Sequence, residues 1–377
     1  MLDIKRIRTE PDAVKAALQK RDPAAADAID DLLTMDIERR RRMTEIETLK
    51  AEQNKLGPQV AQAKKTGADA APLLARSNEI KQSIAERDAG ARAIDAAQEA
   101  ALSKLPNTPL DDVQAGGEHD AVEIKPLSRP LREFGFTPRP HWELCERHGL
   151  VDFERGVKLA GSGFVLYKGL GARLERALIA FMLDFHANVH GYTELGLPYA
   201  LTRESITASG HIVKFLPEMY HDAESDLFFV PTAEPALVNI HRGEILDAGI
   251  LPLRYMAYTP CWRREAGAAG KDTRGLQRVH QFDKVEIFRY VAPEDSSAAL
   301  EAMTSEACAI LDALEIPYRV LRLAAGDISF AAAKTYDVEA WSPGMDKWLE
   351  VSSASNCTDF QARRAGTRFR RAPESKP

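Results

Sequence analysis

Polar and charged residues interrupt several apolar segments in the second half of this 377-residue chain. Charged side chains are costly to bury unless they are paired or used, so each interruption needs a reason. A salt bridge on a solvated sheet face would explain any one of them alone. Together they offer arginines for phosphates, an aromatic ring for a base, and carboxylates for an amine and a metal. The combination predicts a site that binds a nucleoside triphosphate beside a small zwitterion, and its members are Thr232, Ala233, Glu234, Arg263, Arg264, Glu265, Arg278, Phe282, Glu286 and the run from Glu350 to Asn356.

Other catalytic motifs are absent or poorly matched. Residues 267–273, Gly-Ala-Ala-Gly-Lys-Asp-Thr, have two residues between the glycines where a phosphate-binding P-loop needs four. The glycines between 161 and 171 lack the spacing and the βαβ context of a dinucleotide-binding fingerprint. The nine histidines form no H-E-x-x-H pair, and no G-x-S-x-G elbow occurs. The sequence therefore favours neither a P-loop, a dinucleotide fold nor a hydrolase triad.

The first hundred residues follow a helical pattern. Apolar residues recur every three or four positions between Asp30 and Val60, and again between Ser77 and Leu105. Such heptad spacing keeps one seam of a helix against a partner. A short segment with a glycine, residues 64–69, separates the two stretches and suits a reversal of direction. We therefore expect an antiparallel coiled-coil hairpin that reaches on the order of 45 Å at 1.5 Å per residue.

Basic residues lie along this hairpin. One interpretation is a solvated coiled-coil face whose charges bind nothing in particular. The other is contact with the phosphate backbone of a long RNA, which would release counterions and make binding depend on salt. The residues concerned are Arg39, Arg40, Arg41, Arg42, Lys50, Lys55, Lys64 and Lys65.

The rest of the chain divides by composition. Prolines and glycines mark residues 109–135 as a linker between a helical arm, residues 1–108, and a core, residues 136–377. The core begins with a helical stretch at 171–188 and continues with strand-like runs at 227–230, 254–258, 280–288 and 318–323. Because few helices separate these strands, the pattern predicts an antiparallel α+β fold rather than a doubly wound parallel sheet.

Composition narrows the class of protein further. A hydrophobic share of 45% with 28% charged residues is typical of a soluble globular chain, and the length suits two domains. No run approaches the roughly 20 apolar residues of a membrane span, so we expect no membrane partner. A net charge of −6 argues against indiscriminate coating of nucleic acid. Four cysteines without a C-x-x-C pair fit a reducing, cytoplasmic location.

Several strings in order resemble bacterial-type seryl-tRNA synthetases, which are class II aminoacyl-tRNA synthetases. Class I signatures of the HIGH and KMSKS kind are absent, which agrees with this resemblance. The similarity extends over the whole chain, including the coiled-coil arm. The strings are residues 171–178, 230–234, 272–276, 280–286, 333–337 and 350–356.

The resemblance implies a reaction and a role for each candidate residue. Serine and ATP would form seryl-adenylate, and the seryl group would pass to tRNA(Ser), with tRNA(Sec) as a further acceptor in suitable organisms. Arg263 would hold the α-phosphate, and Glu350 would share the catalytic role through Mg²⁺. The implied ATP-binding residues are Arg263, Arg264, Glu265, Arg278, Phe282, Glu350, Val351, Ser352 and Ser353, with Glu265 reading the adenine amino group and Phe282 stacking on the ring.

The same resemblance assigns the remaining contacts. Glu350 and Ser353 would bind Mg²⁺, and the arm residues Arg39 to Arg42, Lys50 and Lys55 would grip the long variable region of the tRNA. Pro198 lies where the first class II motif has its proline, so the resemblance also implies a homodimer. The implied serine-binding residues are Thr232, Ala233, Glu234, Glu286 and Asn356.

One departure from the family pattern is large. The third class II motif, a glycine-rich strand and helix that follows residues 359–364 in the family, does not appear in this sequence. Two hypotheses follow. The chain is either a seryl-tRNA synthetase recorded without that motif, or a naturally short, inactive paralogue that binds tRNA or a partner.

Overall fold

The computed structural model describes residues 1–265 and 274–375. The chain divides into two compact units, Leu2–Leu105 and Pro106–Pro377. No helix in the described ranges is long and apolar enough to cross a membrane. The helices are α1 Ile4–Thr9, α2 Pro11–Gln19, α3 Pro23–Thr66, α4 Ala71–Lys104, α5 His141–Arg147, α6 Phe153–Ala160, α7 Leu170–His190, α8 Arg203–Ser209, α9 His211–Lys214, α10 Glu234–Val238, α11 Ser296–Ala313 and α12 Phe360–Ala365.

The strands all belong to the second unit. They are β1 Val122–Lys125, β2 Thr193–Glu194, β3 Ala200–Thr202, β4 His221–Asp222, β5 Leu227–Phe229, β6 Ile245–Asp247, β7 Leu253–Trp262, β8 Gln281–Tyr290, β9 Tyr318–Arg322, β10 Lys334–Ser342, β11 Lys347–Asn356 and β12 Arg368–Arg370.

The first unit is built around the hairpin of α3 and α4, as the heptad pattern predicted. The side chain of Asp22 caps α3 by accepting hydrogen bonds from the N–H groups of Ala24 and Ala25. Gly67 ends α3 in the left-handed region at φ 70°, where a residue without Cβ is favoured. The reversal therefore occupies residues 67–70, slightly later than the predicted 64–69. The apolar seam contains the buried residues Ile29, Leu32, Ile46, Ile80, Ala91 and Leu102.

Ion pairs also join the elements of this unit. Asp36 of α3 is 1% exposed and accepts two hydrogen bonds from Arg8, at 2.7 and 2.8 Å. Between α3 and α4, Arg87 pairs with Glu45, Arg76 pairs with Glu52, and Arg39 pairs with Asp95. Exposed pairs of this kind contribute little individually, so the apolar seam carries most of the stability of the hairpin.

The described residues of the second unit form four small sheets, which confirm the α+β prediction. The four-stranded sheet has the order β1-β9-β10-β11 with every neighbour antiparallel. Another sheet joins the long antiparallel pair β7-β8 to the short β2, which runs parallel to β7. The remaining sheets are β3-β5-β4 and the parallel pair β12-β6. Two short parallel pairs are thus added to an otherwise antiparallel architecture.

The segment predicted as a linker, residues 109–135, contains a strand. Residues 122–125 form β1, which extends the four-stranded sheet by pairing with β9. Val113 is fully buried, and the side chain of Asn107 donates hydrogen bonds to the carbonyls of Ala331 and Cys357, both at 2.9 Å. Prolines and glycines in this segment mark turns, but they do not prevent its backbone and side chains from packing on the core.

Apolar packing fixes the elements that carry the candidate site. Ile206, Met219, Phe228 and Val230 are buried together beneath the β3-β5-β4 sheet. Ala233 and Leu237 from the start of α10 pack against Ala257 of β7. The segment that contains Thr232 and Glu234 is thereby held against the β7-β8 pair.

Candidate active site and nucleic-acid interface

The β7-β8 pair is the platform of the candidate site. Its register runs without a break from Leu253 opposite Tyr290 to Trp262 opposite Gln281. Alternate residues of a strand share one face of the sheet, so Phe282, Lys284 and Glu286 lie in a row along β8. An aromatic ring, a cation and a carboxylate therefore project from the same side.

Thr232 and Glu286 meet at one end of this row, together with Lys284. The Thr232 hydroxyl donates to Glu286 Oε2 at 2.9 Å and accepts from Lys284 Nζ at 2.5 Å. Lys284 Nζ also lies 2.6 Å from Glu286 Oε2. Burial by itself would raise the pKa of Glu286, but the contacts with Lys284 and Thr232 outweigh it and the net pKa is lowered. Glu286 is therefore an ionised acceptor whose charge is balanced within the protein.

Arg263 lies at the other end of the row. Its backbone N–H donates to the carbonyl of His280 at 3.0 Å, and its Nε donates to the carbonyl of Pro231 at 3.2 Å. The guanidinium carbon lies 5.1 Å from the centre of the Phe282 ring, a cation–π contact that holds it in place. The arginine covers one face of Phe282, so a base that stacks on this ring would use the other face.

Arg264, Glu265 and Arg278 are arranged differently from Arg263. Arg264 turns away to donate to the carbonyl of Met219 at 3.0 Å, with its guanidinium 5.4 Å from the Tyr220 ring centre. Glu265 accepts from Arg278 at 3.1 Å. These contacts place Arg264 apart from the row on β8. The segment 267–273, which sequence analysis rejected as a P-loop, lies outside the described residues, as does the start of the string 272–276.

Glu350 lies on β11, which pairs with β10 except at an irregularity where Val351 has no opposite residue. Part of the surface of Glu350 is exposed, but the surrounding protein still removes water from its carboxylate, and this desolvation raises its pKa. The positive charges of Arg263 and Lys284 oppose the rise. Those two interactions place Glu350 within electrostatic reach of the β7-β8 platform. The site therefore draws on two different sheets.

Ser352 and Ser353 follow Glu350 on β11, and Ser353 lies opposite Asp337 of β10. Burial raises the pKa of Asp337 to about 7, the charge of Glu350 adds to the rise, and a hydrogen bond with Ser353 opposes it. One oxygen of Asp337, Oδ1, is buried without a hydrogen-bond partner. Asp337, Glu350 and Ser353 thus place polar oxygens on neighbouring strands, and Oδ1 of Asp337 is the one among them that is buried without a hydrogen-bond partner in the described structure.

Asn356 is buried at the end of β11 and is engaged in a different way. Its amide nitrogen donates to Ser296 of α11 at 3.3 Å, and its amide oxygen accepts from the N–H of Thr358 at 2.8 Å. These contacts connect β11 to α11 and the next turn rather than to Thr232 or Glu286. They give no support to the predicted contact of Asn356 with serine.

Ala233 and Glu234 begin α10 directly after Thr232. Ala233 is fully buried and serves as packing, whereas the Glu234 carboxylate accepts from Gln361 at 2.6 Å and lies 3.6 Å from His211 Nε2. Burial lowers the pKa of His211, and the charges of Lys284 and Arg263 lower it further, whereas Glu234 and Glu286 act to raise it. His211 is therefore close enough to both ends of the row on β8 to be affected by the charges of Glu286 and Arg263.

The basic residues of the hairpin fall into two groups. Arg41 and Arg42 pair with Glu38, and Arg39 pairs with Asp95. Arg40, Lys50 and Lys55 are exposed, and none of them has a charged partner among the residues that the structure describes. The second group is the more available for phosphate groups.

Four residues that contact or surround the candidate site were not predicted from the sequence: His211, Lys284, Asp337 and Gln361. Lys284 was detectable, because it lies two residues from both Phe282 and Glu286 on one strand and must share their face. Asp337 lies within a string noted for its resemblance, without an assigned role. His211 and Gln361 come from short helices far apart in sequence, and no spacing rule connects them to Glu234.

Comparisons with known proteins first define a class. Residues 215–376 match the family profile described as the tRNA synthetase class II core domain (G, H, P, S and T). Residues 1–109 match the profile of the seryl-tRNA synthetase N-terminal domain. The core and the arm thus each match a synthetase domain, as the resemblance implied.

Individual relatives identify the family within that class. The chain is 47% identical to a serine–tRNA ligase of Dehalococcoides mccartyi, with 100% of this chain and 89% of the relative covered. It is 47% identical to a serine–tRNA ligase of Geobacillus kaustophilus at the same coverage of both. A solved structure of seryl-tRNA synthetase from Pyrococcus horikoshii complexed with ATP matches with a TM-score of 0.95 and 38% identity, over 100% of this chain and 89% of that one. The chain belongs to the seryl-tRNA synthetase family.

The raised pKa of Asp337 leads to a prediction about stability and pH. The folded protein keeps this proton to about pH 7, whereas the unfolded chain loses it near the ordinary value of 3.8. Stability should therefore fall as pH rises between these values, by at most about 4 kcal/mol. We expect Asp337→Asn to reduce this fall, as measured by urea unfolding in the absence of Mg²⁺ and nucleotide. Equal slopes for the wild type and Asp337→Asn would contradict the assignment.

Proposed function

We propose that this chain joins serine to tRNA(Ser) in two steps. A serine carboxylate oxygen attacks the α-phosphorus of ATP, so that seryl-adenylate forms and pyrophosphate leaves. A terminal ribose hydroxyl of the tRNA then attacks the seryl carbonyl, with loss of its proton, and AMP leaves. The observation that carries the proposal is the contact of Thr232 with Lys284 and Glu286, which lie on the same face of β8 as Phe282, the ring against which Arg263 packs. The comparisons give no support to the alternative of an inactive paralogue.

Serine would be recognised through its side-chain hydroxyl. Glu286 is already neutralised by Lys284, so it is suited to accept from the serine hydroxyl rather than to bind a second cation. Thr232 fixes the orientation of that carboxylate. A site built to bond a hydroxyl rejects alanine strongly, because the buried polar groups would be left unpaired.

ATP would lie at the other end of the row on β8, where Phe282 contacts Arg263. Arg263 is held by Pro231 and Phe282, so its guanidinium would meet the α-phosphate without reorganisation as negative charge shifts during attack. Phe282 would stack on the adenine with the face that Arg263 does not cover, and Glu265 would accept from the adenine amino group while Arg278 donates to Glu265. Catalysis in this arrangement consists of positioning and electrostatic stabilisation.

Mg²⁺ would be held by Glu350 and Ser353, with Asp337 close by. The donors are all oxygens, which suit a hard cation, and the unpartnered Oδ1 of Asp337 leaves capacity for a ligand. Within the described residues no group of three or more His, Cys, Asp or Glu is arranged to hold a metal alone, so ATP phosphates would complete the shell. A bound Mg²⁺ would neutralise phosphate charge. Its role is tested by the Mg²⁺ dependence of the reaction in a Glu350→Gln variant.

Serine-dependent exchange of pyrophosphate into ATP tests the activation step. We expect exchange with serine and none with alanine. In Glu286→Gln the hydroxyl acceptor is weakened and Lys284 loses its ion-pair partner, so kcat/KM for serine should fall by roughly 100-fold or more. Glu224→Gln, an exposed carboxylate outside the site, serves as the control and should behave as the wild type. Absence of any exchange by the wild-type chain would refute the proposed activity.

The arm would bind tRNA through its phosphate backbone. Arg40, Lys50 and Lys55 are exposed and have no charged partner within residues 1–265 and 274–375, whereas Arg39, Arg41 and Arg42 already have carboxylate partners on the same hairpin. A cation without such a partner attracts a phosphate at lower cost, since no existing ion pair has to be broken. We therefore assign most of the tRNA affinity of the arm to Arg40, Lys50 and Lys55.

This assignment predicts a change in the salt dependence of tRNA binding. Lys50→Ala and Lys55→Ala should each reduce the slope of log affinity against log salt by about one. Arg41→Ala is the matched control and should change the slope less, because Arg41 is paired with Glu38. Fluorescence titration of tRNA(Ser) at several salt concentrations measures the slopes, and pyrophosphate exchange without tRNA should stay normal. Equal slopes for all three variants would exclude this surface.

The proposal also covers the oligomeric state of the protein and its location in the cell. The large exposed apolar residues Leu159, Leu170 and Leu174 lie on or beside α6 and α7, and they suit an interface between two copies of the chain. We infer a homodimer, which sedimentation of the full chain tests. A cytoplasmic location follows from the use of tRNA and ATP, and cell fractionation tests it.

A further inference from the structure

His280 lies immediately before β8 and connects that strand to two other segments of the chain. Its backbone N–H donates to the carbonyl of Gly163 at 2.8 Å, and its backbone carbonyl accepts from the N–H of Arg263 at 3.0 Å. Its ring stacks on Phe164, with the ring centres 5.3 Å apart and the planes 21° from parallel. Ring Nδ1 and the hydroxyl of Tyr220 share a hydrogen bond of 2.6 Å. Both the backbone and the side chain of His280 are therefore held.

Two glycines allow the segment 161–168, which joins α6 to α7, to reach this ring. Gly163 has a φ of +82°, and a Cβ atom there would collide with Cδ2 of the His280 ring. At Gly156 of α6, a Cβ atom would lie 2.6 Å from the carbonyl oxygen of Phe164. Gly163, which belongs to no dinucleotide-binding fingerprint, is thus needed for close packing against His280.

Tyr220 connects the same histidine to Arg264. The centre of the Tyr220 ring lies 5.4 Å from the guanidinium of Arg264 and 6.4 Å from the centre of the Phe164 ring. The backbone N–H of Arg264 donates to the carbonyl of Glu218 at 2.7 Å. Burial raises the pKa of Tyr220, so its hydroxyl keeps its hydrogen at pH 7. One layer of contacting side chains therefore extends from Phe164 through His280 and Tyr220 to Arg264.

This layer lies where the β7-β8 ladder ends. Trp262 opposite Gln281 is the last pair of the ladder, and Arg263 lies one residue beyond it. Phe282, in contrast, is paired within the ladder. The hydrogen bond from the Arg263 N–H to the His280 carbonyl therefore extends the ladder to Arg263. A displacement of His280 would move the backbone of Arg263 more than that of Phe282.

We propose that His280 is a positioning residue that fixes Arg263 for the α-phosphate of ATP, and that Tyr220 and Gly163 fix His280 in turn. The inference rests on the proposed function, in which Arg263 meets that phosphate. His280, Tyr220 and Gly163 would act through Arg263 and would not touch the reacting atoms. A guanidinium that is held in place stabilises the shifting charge without reorganisation, so a small displacement would reduce its effect.

Inhibition of serine-dependent pyrophosphate exchange by AMP and by adenosine tests the inference with the full chain. AMP carries the α-phosphate that Arg263 would hold, whereas adenosine has the same base and ribose without a phosphate. Tyr220→Phe removes one hydroxyl and keeps the ring, and His280→Phe keeps the stack on Phe164 but loses Nδ1. Each should raise the AMP inhibition constant by roughly three- to tenfold, the value of one hydrogen bond, and leave that of adenosine unchanged.

A double variant distinguishes one shared hydrogen bond from two independent losses. Tyr220→Phe and His280→Phe break the same bond, so together they should weaken AMP no more than the stronger of the two alone, whereas independent effects would multiply. Gly163→Ala approaches the ring from another side. Its Cβ should displace His280 and weaken AMP selectively, although both hydrogen-bonding groups remain present.

Two matched variants control for the loss of a tyrosine hydroxyl and for backbone strain. Tyr255→Phe removes a hydrogen bond of 3.0 Å between a tyrosine hydroxyl and His241, near the start of β7 and away from Arg263. Gly191→Ala adds a methyl group at a φ of +69°, where nothing lies within 4 Å. Both controls should leave the ratio of the AMP and adenosine inhibition constants as in the wild type.

The outcomes distinguish the inference from the function on which it rests. If the wild type shows no serine-dependent exchange, the proposed function fails. If the wild type is active and the variants weaken AMP and adenosine equally, or weaken neither, His280 does not position Arg263 and the inference is wrong. Should His280→Phe or Gly163→Ala fail to fold, as judged by thermal unfolding, Tyr220→Phe decides the question by itself, because it loses only one oxygen atom.

Discussion

The ion pair between Lys284 and Glu286 is the interaction on which the amino-acid side of the site depends. A carboxylate in this position is desolvated by the surrounding protein, and burial without compensation would favour its protonated form. Lys284 supplies the compensation from two residues away on the same strand, and Thr232 adds a hydrogen bond. The pair therefore keeps Glu286 ionised, yet it leaves no net charge that would attract a cation.

The two carboxylates of the candidate site, Glu286 and Glu234, differ in how their charge is balanced. Glu286 is neutralised within β8, whereas Glu234 lies against the neutral side chains of Gln361 and His211. Arg263, fixed by Phe282 and Pro231, offers positive charge at the far end for phosphate.

Much of the fold was predictable because local patterns agree with it. The heptad spacing predicted the hairpin of α3 and α4. The strand-like runs predicted β5, β8 and β9 to within two residues at each end, whereas β7 extends four residues beyond its predicted end. Strand β1, within the segment predicted as a linker, was not predicted, because the prolines and glycines of residues 109–135 indicate turns and carry no information about pairing with β9. Pairing between residues about 200 positions apart depends on the whole sheet and leaves no local periodicity.

The candidate site was likewise predictable from the sequence only in part. Residue type and position along the chain were enough to select Thr232, Glu234, Arg263, Phe282, Glu286 and Glu350 as candidates, because polar and charged groups that interrupt apolar segments are costly to bury unless they are paired or used. Only the tertiary structure decided that Arg264 turns towards Met219, that Asn356 joins α11, and that Gln361 and His211 reach Glu234. The physical reason is that sequence determines which groups must be compensated, whereas the partner that compensates each of them depends on which distant elements pack together.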